Sequence, residues 1–93
     1  MGDQDEGRQI ILDLYAANGI AYCIRCWTNP ATCVHEIEPR SQRPNTWMEI
    51  SNRVPLCNSC HDYCHQKGTG NVADELRERR ALYAITFGIE LPF

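Results

Sequence analysis

Two Cys-x-x-Cys pairs, Cys23 to Cys26 and Cys57 to Cys60, constrain this chain more than any other feature of it. A two-residue gap lets both thiolates of a pair reach one ion from a tight turn, so each pair reads as half of a tetrahedral zinc knuckle. A chain of 93 residues buries a modest share of its surface, and an ion clamping two distant segments supplies stability that a small core lacks. The cysteines at 23, 26, 33, 57, 60 and 64 could in principle pair as disulfides. Ligand spacing and the interleaved histidines favour metal binding instead, and the charged start MGDQDEGR contains no apolar signal segment. A reducing, cytoplasmic setting is therefore expected.

The length fits a single domain over 1–93, and no apolar run approaches the roughly 20 residues that a membrane helix needs. A net charge of −3 excludes a generally basic coat for nucleic acid. If DNA is the partner, the positive field must be local, and Arg40, Arg43, Arg53 and Lys67 near the histidines are the candidates for it.

Taken in order, residues 1–5 are expected to fray, and Ile10, Ile11, Leu14, Tyr15 and Ala17 recur at helical spacing from about Glu6 to Asn18, with Gly19 placed to cap. Cys33 to Glu38 is rich in strand formers and stops at Pro39; alternation puts Cys33, His35 and Ile37 on one face and Val34 and Glu36 on the other. A polar loop from Arg40 to Glu49 carries Trp47, which reads as a hydrophobic plug over the hairpin rather than a base-stacking platform. Asn52 to Leu56 returns as a strand, and a helix from Asn58 or Ser59 carries Cys60, His61, Cys64 and His65. His61 and His65 are one turn apart, so their rings share a face. Asn71 is the expected N-cap of a last helix to about residue 87, with Val72, Leu76, Leu82, Tyr83 and Ile85 as its apolar stripe and Gly88 at its end. Arg77, Arg79 and Arg80 read as solvated surface charges rather than phosphate contacts.

The order Cys23-x-x-Cys26, Val34-His35-Glu36-Ile37-x-Pro39, Asn52, Leu56-Cys57-x-x-Cys60-His61 and His65 resembles the HNH endonuclease family in its four-cysteine zinc form. The likeness covers residues 22–66. It implies an α+β fold of the zinc-stabilised ββα-metal (His-Me finger) kind, with its core over about 20–70 and a flanking helix at either end. It implies a structural zinc on Cys23, Cys26, Cys57 and Cys60, and a catalytic divalent ion (Mg, Mn, Ni or Zn) on His35 and His61 with His65 as a third ligand. Asn52 would brace the hairpin and orient the base. The activity implied by the resemblance is phosphodiester hydrolysis of DNA, with double-stranded DNA as the expected partner, leaving a 5′-phosphate and a 3′-hydroxyl. Similar small proteins are common in bacteriophages, which suggests a phage origin, a host-cytoplasmic location and a protein partner such as phage packaging proteins.

One departure is chemical. The second motif position usually carries a histidine general base, well matched to neutral pH, and here it is Glu36, a weaker base unless its site raises its pKa. Two assignments stay open: Glu36 as base with His35 on the ion, or His35 as base with Glu36 as ligand or spectator. A slow or inactive enzyme is a third outcome. From a different class, a non-catalytic zinc module that binds DNA or a protein would hold all three histidines structurally. Cys33 and Cys64 read as small buried hydrophobes, although with His35 and His61 or His65 they could close a second zinc site.

Overall fold

A computed structural model describes residues 2–38 and 49–91, with the side chains of the first helix from Arg8 onward. In chain order the elements are α1 (Gly2–Ala17), β1 (Cys33–Glu36), a 3-10 turn (Ile50–Asn52), β2 (Arg53–Leu56), α2 (Asn58–Lys67) and α3 (Thr69–Thr86). Among the described residues the fold is α+β, with three α-helices around one two-stranded antiparallel sheet. None of these helices is long and apolar enough to cross a membrane.

Helix α1 starts at Gly2 rather than near Glu6. Its end is closed by Gly19 at φ 97°, whose N–H donates to Ala16 O at 3.0 Å while Ile20 N–H donates to Tyr15 O at 2.8 Å, the bond pair of a Schellman motif. The expected five-residue stripe divides. Ile11 and Tyr15 are buried, whereas Ile10, Leu14 and Ala17 are exposed. The two buried residues lie one turn apart on the side facing the hairpin, and two short strands are too narrow to cover the adjoining row as well.

The strands pair with Cys33 opposite Leu56, Val34 opposite Pro55, His35 opposite Val54 and Glu36 opposite Arg53. Alternation sends His35 and Ile37 into the interior and leaves Val34 and Glu36 half-buried on the other face. Pro55 lacks an N–H for an outer partner, but its carbonyl accepts from Ile24 N–H at 3.1 Å. The far side of β2 is thereby tied to the first cysteine pair.

Gly68, at φ 96°, separates α2 from α3. A side chain there would be strained by the backbone and would bring its Cβ to 3.1 Å from Asn71 Nδ2. Asn71 is not the N-cap expected of it: α3 begins two residues earlier, and Asn71 Nδ2 donates to Lys67 O at 2.7 Å, serving the end of α2 instead. Val72, Ala73, Leu76, Tyr83 and Ala84 form the buried side of α3, while Leu82 and Ile85 are exposed. At about 100° per residue those two fall on the opposite half of the helical wheel, so the buried stripe is narrower than the apolar residues suggest. The core joins Val72, Ala73, Leu76 and Tyr83 to Ile11, Tyr15, Ile20, Ile24, Ile37, Val54, Leu56 and Cys64.

Candidate metal centres

The first centre is built from a turn and a helix start. Cys23 N–H bonds Asn29 O at 2.9 Å and Trp27 N–H bonds Cys23 O at 2.9 Å, folding residues 23–29 into a compact loop. Cys57 stands at the N-cap of α2 and Cys60 in its first turn. The four Sγ atoms lie within 4.8 Å of one another, and none of the chain's cysteines is in a disulfide. Cys26 Sγ and Cys57 Sγ are 3.8 Å apart. A tetrahedral ion with bonds of about 2.3 Å to sulfur has an S···S edge of about 3.8 Å. Four cysteines so placed could hold a metal ion such as zinc.

The surrounding donors suit thiolates. Burial pushes Cys26 up, but the Thr28 hydroxyl at 3.4 Å and the Thr28 and Asn29 backbone N–H groups outweigh it and bring its pKa down to about 6. Burial also opposes ionisation of Cys57, where the Cys60 N–H and the Asn29 amide, 3.7 Å away, prevail and lower it. Cys23 and Cys60 are raised, chiefly by burial. Arg25 answers this at Cys60: its Nη1 lies 3.6 Å from that sulfur, its Nε donates to Glu75 at 3.1 Å, and its guanidinium sits 3.8 Å over the Tyr63 ring. Trp27 follows Cys26 with φ 66°, a left-handed conformation costing a non-glycine residue about 1–2 kcal/mol. Its ring offsets that cost. Nε1 donates to Ile24 O at 2.9 Å, and the indole meets Tyr83 and Phe87 edge-on at 5.5 and 5.8 Å between centroids.

The second centre joins hairpin to helix. His35 comes from β1 and His61 and His65 from α2, and one ring nitrogen of each lies within 4.8 Å of the others. His61 Nε2 and His65 Nε2 are 3.0 Å apart, within hydrogen-bond distance and somewhat shorter than the edge of about 3.4 Å that two imidazoles span on a tetrahedral ion at about 2.1 Å. The rings are graded in exposure: His35 is buried, His61 half-buried and His65 exposed. Burial, with His61 and His65 alongside, pushes His35 down to about 4, and burial with His65 beside it lowers His61 despite Asp62. These rings are held neutral, the state a ligand needs. His35 Nε2 is fully buried and has no hydrogen-bond partner. A buried ring nitrogen without a partner, beside two other imidazoles, fits a bound cation and is costly without one.

No fourth His, Cys or carboxylate joins this group among the described residues, and residues 39–48 contain none of those types. A second closed site with Cys33 or Cys64 is therefore not formed. Cys64 is a fully buried core residue, and the Cys33 thiol donates to Asn58 Oδ1 at 2.8 Å. Glu36 also stands outside the group, across from Arg53 on the other strand face, which removes it as a ligand in this arrangement.

Asn52, 1 % exposed, closes the base of the hairpin. Its Oδ1 accepts from Glu38 N–H at 2.9 Å and its Nδ2 donates to Glu38 O at 3.1 Å, while its carbonyl accepts from Ile37 N–H at 2.7 Å. Of the four residues expected to face a phosphate backbone, Arg53 is half-buried on β2 and Lys67 is exposed at the end of α2, 5.7 Å from the Tyr63 ring centroid. Arg40 and Arg43, like Trp47, lie outside the described residues. In α3, Arg77 pairs with Glu38 at 3.0 Å and Asp74 at 3.2 Å, and Arg79 approaches Glu75 at 3.9 Å. Arg80 is no surface charge: it reaches inward to Tyr15 and Ser51. Arg25 had a sequence signal in its place inside the first cysteine pair; Tyr15 and Arg80 had none. No protein-family model, curated protein or solved structure matches this chain.

Proposed function

We propose that the chain is a metal-dependent DNA endonuclease of the HNH type, with β1, β2 and α2 as a ββα-metal core and the four-cysteine group as its structural zinc site. The observation that carries the reading is the convergence of three imidazoles from hairpin and helix, one of them with a buried, unpartnered Nε2. A bound divalent ion with open positions would supply Lewis-acid stabilisation to the phosphate and leaving oxygens. An all-imidazole donor set favours Zn, Ni or Co over Mg, which prefers carboxylate and water oxygens.

The chain's own residues have separate tasks. His35, His61 and His65 hold the ion, and burial keeps the first two neutral near pH 7. With His35 in that group, the motif resemblance gives the proton of the attacking water to Glu36, whose side chain stands on the other strand face from the imidazoles. Asn52 fixes the hairpin through Glu38, and Lys67 and Arg53, with Arg40 and Arg43, provide the local positive field for a DNA backbone. The resemblance to HNH enzymes, with its phage-like setting, supports DNA as the substrate.

Relaxation of supercoiled plasmid by the zinc-loaded protein, across a panel of divalent ions, tests this. His61→Ala should lose activity by about 100-fold or more while keeping one zinc, and Glu36→Gln should lose about as much. Glu36→His, which places an imidazole at the motif's second position, should cleave at least as fast as the wild type. No relaxation with any ion, together with two tightly held zincs, would replace the nuclease by a zinc-binding interaction module.

A further inference from the structure

The 3-10 turn and the first residue of β2 show an unusual concentration of carbonyl acceptors. The Tyr15 hydroxyl lies 2.6 Å from Arg53 O and 3.0 Å from Ile50 O, and Arg80 Nη1 donates to Ser51 O at 2.8 Å and to Tyr15 Oη at 3.1 Å. The remaining carbonyl of the run, that of Asn52, accepts from Ile37 N–H. Every carbonyl from residue 50 to residue 53 thus has a donor: Arg53 N–H for Ile50 O, Arg80 for Ser51 O, Ile37 N–H for Asn52 O and the single Tyr15 hydroxyl proton for the nearer Arg53 O. Two of the four are served by side chains that are 65 residues apart in the chain. Tyr15 is fully buried in α1, and burial raises its pKa even with Arg80 beside it, so the phenol stays a donor.

The consequence concerns Asn52. Its side chain grips Glu38 and its carbonyl grips Ile37, two residues beyond His35 on the same strand face. Asn52 can hold that strand only if its own backbone is held. Its neighbours on both sides are fastened to α1 and α3, outside the 22–66 segment that carries the nuclease resemblance. We infer that Tyr15 and Arg80 form a positioning clasp: they fix residues 50–53, and through Asn52 they set the place of His35 relative to His61 and His65. The inference rests on the reading of those imidazoles as an ion site. Neither clasp residue touches the ion or a substrate; they act through Asn52 and the strand. Partners that hydrogen-bond a metal ligand directly typically change metal affinity 10- to 100-fold; the clasp acts one step further out, so the low end of that range is expected, and a ligand shared between a hairpin and a helix depends on their mutual placement.

The test uses the full-length zinc-loaded protein, with Co²⁺ titrated into the second centre and amide exchange followed residue by residue. Tyr15→Phe and Arg80→Met should each weaken Co²⁺ binding at the imidazoles about ten-fold. The Ile37 and Glu38 amides should exchange faster, with the Ile24 amide, bonded to Pro55 O, unchanged and the zinc on the cysteines retained. Arg80→Lys should restore part of the affinity. Val72→Ala, a core truncation on α3 away from the turn, serves as a stability control and should leave the second-site affinity alone. Wild-type affinity and wild-type exchange at Ile37 and Glu38 in both clasp variants would overturn the inference, as would an equal loss in Val72→Ala. Should the wild type take up no second ion, the imidazole reading fails, and the clasp as a device for placing His35 fails with it.

Discussion

Replacing His35 by leucine separates a ligand from a structural histidine by the sign of its effect. The His35 ring is 3 % exposed, and its Nε2 is buried with no partner. Leaving such a group unsatisfied costs about 1–3 kcal/mol, whereas an apolar side chain of similar volume incurs no such penalty. With the cysteines loaded and no ion at the imidazoles, His35→Leu should therefore be more stable than the wild type by about 1–2 kcal/mol. For a domain of this size that is a rise of about 4–16 °C in Tm. Excess Ni²⁺ should reverse the order. At an ion concentration of about 100 times Kd the wild type gains about 2.7 kcal/mol by mass action, and the variant, lacking one of its three ligands, gains far less. Thermal unfolding of both proteins with one equivalent of zinc, with and without added Ni²⁺, reads the crossing directly. If His35→Leu is less stable by 1 kcal/mol or more whether or not Ni²⁺ is present, the ring is a core residue and the functional argument from its orphaned nitrogen collapses.

Other expectations follow from the same contacts. His35 has its pKa pushed down to about 4 from an ordinary value of 6.5; protons bind the unfolded chain first, so stability present above pH 6.5 is lost as the pH falls toward 4. By pH 5 the loss is about 2 kcal/mol, and the advantage of His35→Leu over the ion-free wild type should widen by that amount between pH 7 and pH 5; a constant difference would show the ring is not held neutral. Chelating the ion from the cysteines should unfold the chain cooperatively by circular dichroism, since structural zinc contributes about 10–16 kcal/mol in small zinc domains, more than a core of this size supplies; retention of native signal would make the ion dispensable. Trp27→Gly should relieve about 1–2 kcal/mol of left-handed backbone strain but lose the indole contacts with Ile24, Tyr83 and Phe87. A net loss of stability in denaturant titration is expected, and a gain would mean those contacts contribute little.

The sequence made the local geometry readable and left the long-range geometry hidden. Two-residue gaps between cysteines, alternation along Cys33 to Glu38 and the one-turn spacing of His61 and His65 each follow from a fixed backbone period, and the structure gathers both groups. Apolar periodicity was less informative at the helix flanks. It counted Ile10, Leu14, Leu82 and Ile85 as core because it cannot say how much surface the neighbouring elements offer, and all four are exposed. Asn71 looked like a cap because its residue type suits one; Gly68 started α3 earlier and turned that amide toward the end of α2. Trp27 in a left-handed turn could not be foreseen, since glycine is the residue that position favours. The Tyr15–Arg80 contact joins distant helices through backbone carbonyls, which carry no residue identity for a pattern to register.

Titrating Ni²⁺ into protein already carrying one zinc, while following bound metal and plasmid relaxation in the same samples, addresses the central claim most directly. Strand cleavage should begin only as the second ion binds and should rise in proportion to its occupancy. Cleavage by the one-ion protein, or full loading of the imidazoles with the plasmid left intact, would contradict the account.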